Sequence, residues 1–249
     1  MTGPSISVVT VTLNSAQDLP RLIDSLRAQV DRDFEYVVVD GASGDGTWGI
    51  VEGSRDVITH AVSEPDRGLY DALNKGLRAV RTEFYLVAGA DDVLDPNAVA
   101  NFKATASRTG ADVVVAAVKA GEVVRRGLHV RRAWLGHAAM TTSHSVGMLF
   151  RTRLHERFGE YPLRYPLLAD GYFIKRVCMA KDVKAVAADF VAGEFGMRGR
   201  STRNLTRSLC ELWQIQLDTG ESPWVQYLLF QLRLLRNLPR ILTRSDGHV

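Results

Sequence analysis

Residues 37–47 read Val37-Val-Val-Asp40-Gly-Ala-Ser-Gly-Asp45-Gly-Thr47, a β-branched run that stops at an acid and then turns through glycines. Glycine permits the tight turn and close backbone approach that such a junction needs. An acid at a strand tip also stands where open parallel sheets bind their ligands. Outward from this stretch, Ile6 to Val11, Phe34 to Val39, Val57 to Ala61 and Phe84 to Val87 are strand candidates. Their nearly unbroken apolar character suits strands covered on both faces. Leu19, Leu22, Ile23 and Leu26 fall at i, i+3, i+4 and i+7, and Leu69, Ala72, Leu73, Leu77 and Val80 follow a helical spacing too. Strand and helix therefore alternate over residues 5–94, which predicts βαβ units building a parallel sheet.

Beyond this half, Asp95-Pro96 reads as an N-cap with proline at the first helical position, opening a helix to about Ser107 before a strand from Val113 to Val118. Basic strand-like pieces from Val123 to Val130, a loop with His137 and His144, a strand near Val146 to Phe150 and a helix after Asp170 follow. From Pro223 to Arg244, Leu228, Leu229, Leu232 and Leu235 make an apolar face. Arg233, Arg236, Arg240 and Arg244 line another, with no acid between. That pattern suits a helix lying on an anionic membrane surface, or one packed on the domain or in a homodimer.

Composition narrows the class. The 249 residues are 46 % hydrophobic and 24 % charged, ordinary for a soluble globular chain, with room for one large α/β domain. Two cysteines, Cys178 and Cys210, cannot build a disulfide framework or a four-ligand zinc site. No basic leader precedes the first strand and no window is apolar enough to span a bilayer, so the expected place is the cytoplasm, with any membrane contact peripheral. The net charge of +3 divides into −8 over residues 1–100 and +11 over the remainder. The basic excess lies with the apolar C-terminal stretch and carries no nucleic-acid reading motif, so no nucleic-acid partner is expected.

Three of the predicted strands run into acids. Asp40 and Asp45 follow the second; Glu64-Pro-Asp66-Arg-Gly-Leu-Tyr-Asp71-Ala-Leu-Asn74-Lys75-Gly76 follows the third; Gly89-Ala-Asp91-Asp92 follows the fourth. Neighbouring carboxylates repel unless neutralised, and Mg²⁺ or Mn²⁺ is commonly held by one or two of them with substrate phosphates. The bland alternative is a helix cap at Asp92 or Asp95. The glycine loop is neither GxGxxG nor GxxxxGK[ST], so the dinucleotide and P-loop readings lose their main support.

Together, Ser7-Val-Val-Thr-Val-Thr12-Leu-Asn14, residues 37–47, residues 64–76 and Ala90-Asp91-Asp92 resemble family 2 glycosyltransferases of the GT-A fold, most of all the bacterial branch that builds cell-surface polysaccharides and glycolipids. The resemblance is close over residues 5–95 and looser to about Ser201. It implies a Rossmann-like mixed, mainly parallel α/β sheet flanked by helices. Residues 1–202 would form the catalytic domain, divided into a nucleotide-sugar half, 1–95, and an acceptor half, 96–202. An amphipathic helical extension, 203–249, would follow.

Carried over residue by residue, the resemblance puts Thr12, Asn14 and the adjacent backbone in the nucleotide pocket, Asp40 on the base, Asp66 near the nucleotide, and Asn74 and Lys75 toward the donor. Asn74 serves helix packing equally well. The family's metal motif is Asp-x-Asp; here glycine replaces the first acid, so the divalent cation, Mg²⁺ or Mn²⁺, and the diphosphate fall to Asp91, supported by Asp92. Asp170 matches the family's catalytic base, and helix capping is the competing role. His144 would touch acceptor or phosphates, or be structural. Arg198 and Arg200 would stabilise the leaving diphosphate, or be solvated. The implied reaction is inverting transfer of a sugar from a nucleotide-diphosphate donor to a glycan or lipid-linked hydroxyl. The rivals are an inactive membrane scaffold and a sugar nucleotidyltransferase, whose Gly-rich activation loop is missing from residues 9–14.

Overall fold

The structure, a computed structural model, describes residues 3–141, 145–196 and 204–245. The parallel half forms as the apolar runs predict. It consists of β1 (Ile6–Thr12), β2 (Glu35–Asp40), β3 (His60–Ser63) and β4 (Phe84–Val87), with α1 (Leu19–Arg27), α2 (Thr47–Glu52) and α3 (Leu69–Ala79) as crossovers. β1 is flanked by β2 and β4, and β3 lies outside β2, all parallel. Register pairs Thr12 with Asp40, so both loops that leave these strands start at one level. β3 begins later than Val57 because the chain first turns after α2, the amides of Val57 and Ile58 bonding the Ser54 carbonyl. Ile58 thereby joins the core from a turn.

The second half contains β5 (Val93–Leu94), α4 (Ala98–Thr109), β6 (Val113–Ala120), β7 (Val123–Arg125), α5 (His137–Met140), β8 (Met148–Arg151), α6 (Leu154–Phe158), α7 (Ala169–Met179), β9 (Ala185–Glu194), α8 (Leu205–Asp218) and α9 (Pro223–Ser245). The sheet order is β3-β2-β1-β4-β8-β6-β9-β5, with β7 beside β6. β8 enters antiparallel to both β4 and β6, and β9 returns parallel to β6. The sheet is therefore parallel where the motifs lie and mixed beyond β4. Asp95 does not cap α4. Its Oδ1 accepts the Asn97 amide at 2.9 Å in a local turn, and the helix starts at Ala98. The expected strand to Val130 stops at Arg125, because Gly127 turns at φ 110° and residues 130–135 wind into a 3-10 turn.

Alternate residues of the central strands feed two cores, one on each face. Val8, Val38 and Leu86 meet Leu22, Leu26 and Phe102 of α1 and α4. Val9, Val37 and Tyr85 meet Tyr70, Leu73, Phe173 and Ile215 of α3, α7 and α8. Each such fully buried side chain contributes about 1.5–3 kcal/mol. Ile215 of α8 joins the second core, and α9 packs on α8 through Phe230 against Trp213.

Candidate active site

The carboxyl ends of β1, β2 and β3 are knitted together around Asp40, which is fully buried. Its Oδ1 accepts from the hydroxyls of Thr12 (3.0 Å) and Ser43 (2.5 Å). Its Oδ2 accepts from the Ser43 amide (3.0 Å) and the Ser63 hydroxyl (2.6 Å). Burial pushes the carboxyl up, but four hydrogen bonds outweigh it and hold the group below the usual carboxylate range. A carboxylate has about four acceptor sites, and here the chain's own donors fill them all. Asp40 thus sets the positions of Thr12, Ser43 and Ser63; contact with a base would need one of those hydroxyls to turn away.

Asn14 joins the same frame at φ 53°, a left-handed conformation that asparagine tolerates. Its amide bonds the Ser43 hydroxyl at 2.8 Å, and its Oδ1 accepts the Gly44 amide at 3.0 Å. Asp66, on the connection from β3 to α3, packs against this loop: a Cβ at Gly41 would stand 2.3 Å from its Oδ2, while its Oδ1 accepts the Gly68 amide at 2.7 Å. Thr12, Asn14, Asp40 and Asp66 are therefore brought together.

Asp91 and Asp92 part company. Asp92 is fully buried, its Oδ2 accepting the Gly89 amide (2.7 Å) and its Oδ1 the Gly196 amide (2.8 Å). Burial, reinforced by the Asp91 charge, pushes its carboxyl up to about 7. Oδ2 thus closes the turn at Gly89 and Oδ1 ties Gly196 to the loop after β4, a structural role that stands beside the metal support expected of Asp92. Asp91 is half-buried under the same segment, so close that a Cβ at Gly196 would stand 2.2 Å from its Oδ2. Among the described residues no three His, Cys, Asp or Glu side chains converge on a metal site. A hard cation can still be held here by Asp91 together with diphosphate oxygens and water, since Mg²⁺ needs only one or two carboxylates.

Asp170 lies in the first turn of α7. Its Oδ1 accepts from the Tyr70 hydroxyl (2.7 Å) and from the Gly171 amide (2.8 Å). Tyr70 belongs to α3, so this bond ties the motif-bearing half to the second half of the domain. Burial first, then the Asp170 charge, raises the Tyr70 phenol far above its ordinary value, keeping it a donor. His137 abuts the same turn: a Cβ at Gly171 would stand 2.4 Å from its Nδ1, which is buried with no hydrogen-bond partner among the described residues. Burial lowers the His137 pKa against the opposing pull of Asp170, which favours neutral imidazole. The approach to Asp170 is held from α8, where Glu211 Oε2 accepts the amides of Leu167 (2.9 Å) and Leu168 (3.0 Å).

Two expected donor contacts have other employment. Asn74 is buried with both amide ends on the Tyr161 backbone, at 2.9 and 3.0 Å. It acts as a cross-link between α3 and the segment leading to α7, the packing role of its two readings. Lys75 Nζ lies 2.8 Å from both Glu64 Oε1 and the Pro65 carbonyl, bracing the loop that carries Asp66. His144, Arg198 and Arg200 lie outside the described residues. Sequence reasoning missed Tyr70, His137 and Glu211. Tyr70 sits inside the quoted 64–76 motif but reads there as one more core-facing helical residue, and the other two carry no local signal.

The glycosyl transferase family 2 description matches residues 7–167. The chain is 32 % identical over 188 residues to a PGL/p-HBAD biosynthesis glycosyltransferase of Mycobacterium bovis, a match spanning 70 % of this chain and 69 % of that protein. Among solved structures it resembles the mannosyltransferase PcManGT from Pyrobaculum calidifontis in complex with GDP-Man and Mn²⁺, with TM-score 0.68 and 21 % identity over 100 % of this chain and 77 % of that one. It also resembles S. aureus TarS 1–349 in complex with UDP-GlcNAc, with TM-score 0.63 and 19 % identity over 94 % of this chain and 73 % of that one. These two likenesses concern the fold, which is of the GT-A type. The motifs, the sheet and the family match converge, and the chain belongs to the family 2 glycosyltransferases, enzymes of glycosyl transfer.

Proposed function

We propose that the protein is an inverting glycosyltransferase that moves a sugar from a nucleotide-diphosphate donor to a hydroxyl of a lipid-linked or cell-surface glycan acceptor, with Asp170 as base. The observation that carries this reading is the seat of Asp170: a carboxylate at a helix start, held through one oxygen by a tyrosine of the family motif. With Oδ1 occupied by two donors, Oδ2 is the atom that takes the acceptor proton. The acceptor oxygen then bonds the anomeric carbon from the face opposite the breaking C–O bond, whose electron pair leaves with the nucleoside diphosphate. Thr12, Asn14 and the loop ordered by Asp40 line the nucleotide side, with Asp66 beside them. Asp91 would hold a divalent cation, which would supply charge neutralisation at the diphosphate. The nucleotide sugars bound by the fold relatives support the donor class, and the glycolipid pathway named for the mycobacterial relative supports the acceptor class.

Thermal shift with UDP-, GDP- and TDP-sugars, with and without Mn²⁺, tests the donor reading. One nucleotide class is expected to stabilise the parent more strongly with the ion. Asp91→Ala should melt like the parent alone yet lose the ion-dependent gain. If no nucleotide sugar stabilises the parent, the inactive-scaffold reading replaces this one.

A further inference from the structure

Helix α9 carries a surface that transfer chemistry does not use. Trp224 is 80 % exposed, Leu228 62 %, Leu232 62 % and Leu235 64 %. At 3.6 residues per turn these four side chains lie within about 80° of arc and cover about 17 Å of helix. Pro239 continues the row, one turn beyond Leu235. Solitary exposed leucines are common on soluble proteins, whereas a continuous apolar row marks an interaction surface.

The helix is fixed in roll so that this row faces outward. Gln226 is buried and donates to the Trp134 carbonyl at 2.8 Å. The Arg233 guanidinium donates to the Leu135 carbonyl at 2.8 Å. Phe230 stacks on Trp213 of α8 with ring centroids 5.4 Å apart. Arg233, expected in a basic outer stripe, is therefore turned inward and half-buried. Arg236 and Arg240 remain exposed along one border of the apolar row, and no acidic residue occurs from Pro223 to Arg244.

We propose that this face of α9 docks in the plane of an anionic phospholipid bilayer, apolar row toward the acyl boundary and Arg236 and Arg240 toward lipid phosphates. Charge decides between a bilayer and a second copy of the chain. Two-fold pairing of α9 with itself brings two arginine borders together, with no carboxylate on either helix to answer them, and sets Pro239 in the seam. A spanning role fails because no described helix is long and apolar enough to cross a membrane. The seat of α9, residues 134–135, lies two residues before His137, which abuts the start of α7. Docking therefore holds the Asp170 side of the enzyme at a set orientation to the lipid surface. Docking stands on α9 alone; its use in presenting a lipid-linked acceptor rests on the proposed transfer reaction.

The test is co-flotation of the full chain with vesicles of one part phosphatidylglycerol to three parts phosphatidylcholine, and with phosphatidylcholine alone. The parent is expected to float with the anionic vesicles, less so as salt rises. Leu228→Glu/Leu232→Glu/Leu235→Glu should weaken binding about tenfold or more. Arg236→Glu/Arg240→Glu should weaken it on anionic vesicles. These side chains are exposed, so both variants should keep the parent's melting temperature and its stabilisation by nucleotide sugar. That second reading separates failure of docking from failure of the transfer reaction. The proposal is overturned if the parent stays unbound or if the triple variant floats as the parent does. It is equally overturned if light scattering shows a parent dimer that the triple variant dissolves.

Discussion

Asp40 and Asp170 are both carboxylates at the ends of elements that face the site, and the fold treats them oppositely. Asp40 is buried and accepts four hydrogen bonds through both oxygens, whereas the two bonds described for Asp170 both fall on Oδ1. A carboxylate saturated by its own chain organises its neighbours, and one held at a single oxygen keeps an acceptor for chemistry. Adjacent residues differ too: Asp92 is fully buried and accepts two backbone amides, whereas Asp91 is half-buried beside Gly196. A conspicuous motif acid is thus as apt to be frame as reactant.

The largest expected effect falls on Asp170. Asp170→Asn keeps the Tyr70 and Gly171 bonds through its carbonyl oxygen but cannot accept the acceptor proton, so turnover should fall about 10²- to 10⁴-fold. Donor affinity by titration calorimetry should stay at the parent value. Turnover at the parent rate would erase the contrast, because Asp170 would then be frame as well.

Asp40→Asn tests the opposite member. The amide nitrogen cannot accept from the Ser43 backbone or from the hydroxyls, so a buried donor is left unpaired at a cost of about 1–3 kcal/mol in urea unfolding at neutral pH. The folded Asp40 carboxyl is held below its unfolded value of about 4. Its stabilisation is complete above that value and is lost as pH falls through the folded one. The deficit of the variant should therefore shrink as the pH is lowered below about 4. A deficit that is flat with pH would mean that the charge of Asp40 is not what the frame uses.

This contrast also marks how far the sequence could be read. Strands β1, β2 and β4 were legible because each is a nearly unbroken apolar run and the helical spacings of 19–26 and 69–80 fall between them. Strand β9 was not, since Ala185-Val-Ala-Ala-Asp189-Phe-Val-Ala-Gly-Glu194 has little side-chain contrast and pairs with β6 across about sixty residues of chain. Asp170 and Asp91 could be singled out because each matches a motif position. That Asp92 would turn inward could not be read, because its partners, Gly89 and Gly196, are more than a hundred residues apart. Asn74 and Glu211 likewise work through backbone groups of Tyr161, Leu167 and Leu168, which no side-chain pattern announces.

The smallest predicted effect concerns how Asp170 is kept in place. Tyr70 is buried, and its hydroxyl serves both Asp170 Oδ1 at 2.7 Å and the Leu167 carbonyl at 3.1 Å. Tyr70→Phe removes that hydroxyl and leaves the ring in the second core, so the unfolding midpoint should change little. A hydrogen bond to a charged partner is worth about 1.5–3 kcal/mol, but the Gly171 amide and the two Glu211 bonds still hold the turn. Turnover should fall about tenfold, the lower end of that range, because the carboxylate keeps its place but loses part of its alignment. The Michaelis constant for the nucleotide sugar should not move if Tyr70 orients the proposed base rather than the donor. A change confined to donor affinity would assign Tyr70 to the nucleotide side and leave Glu211 and Gly171 as the supports of Asp170.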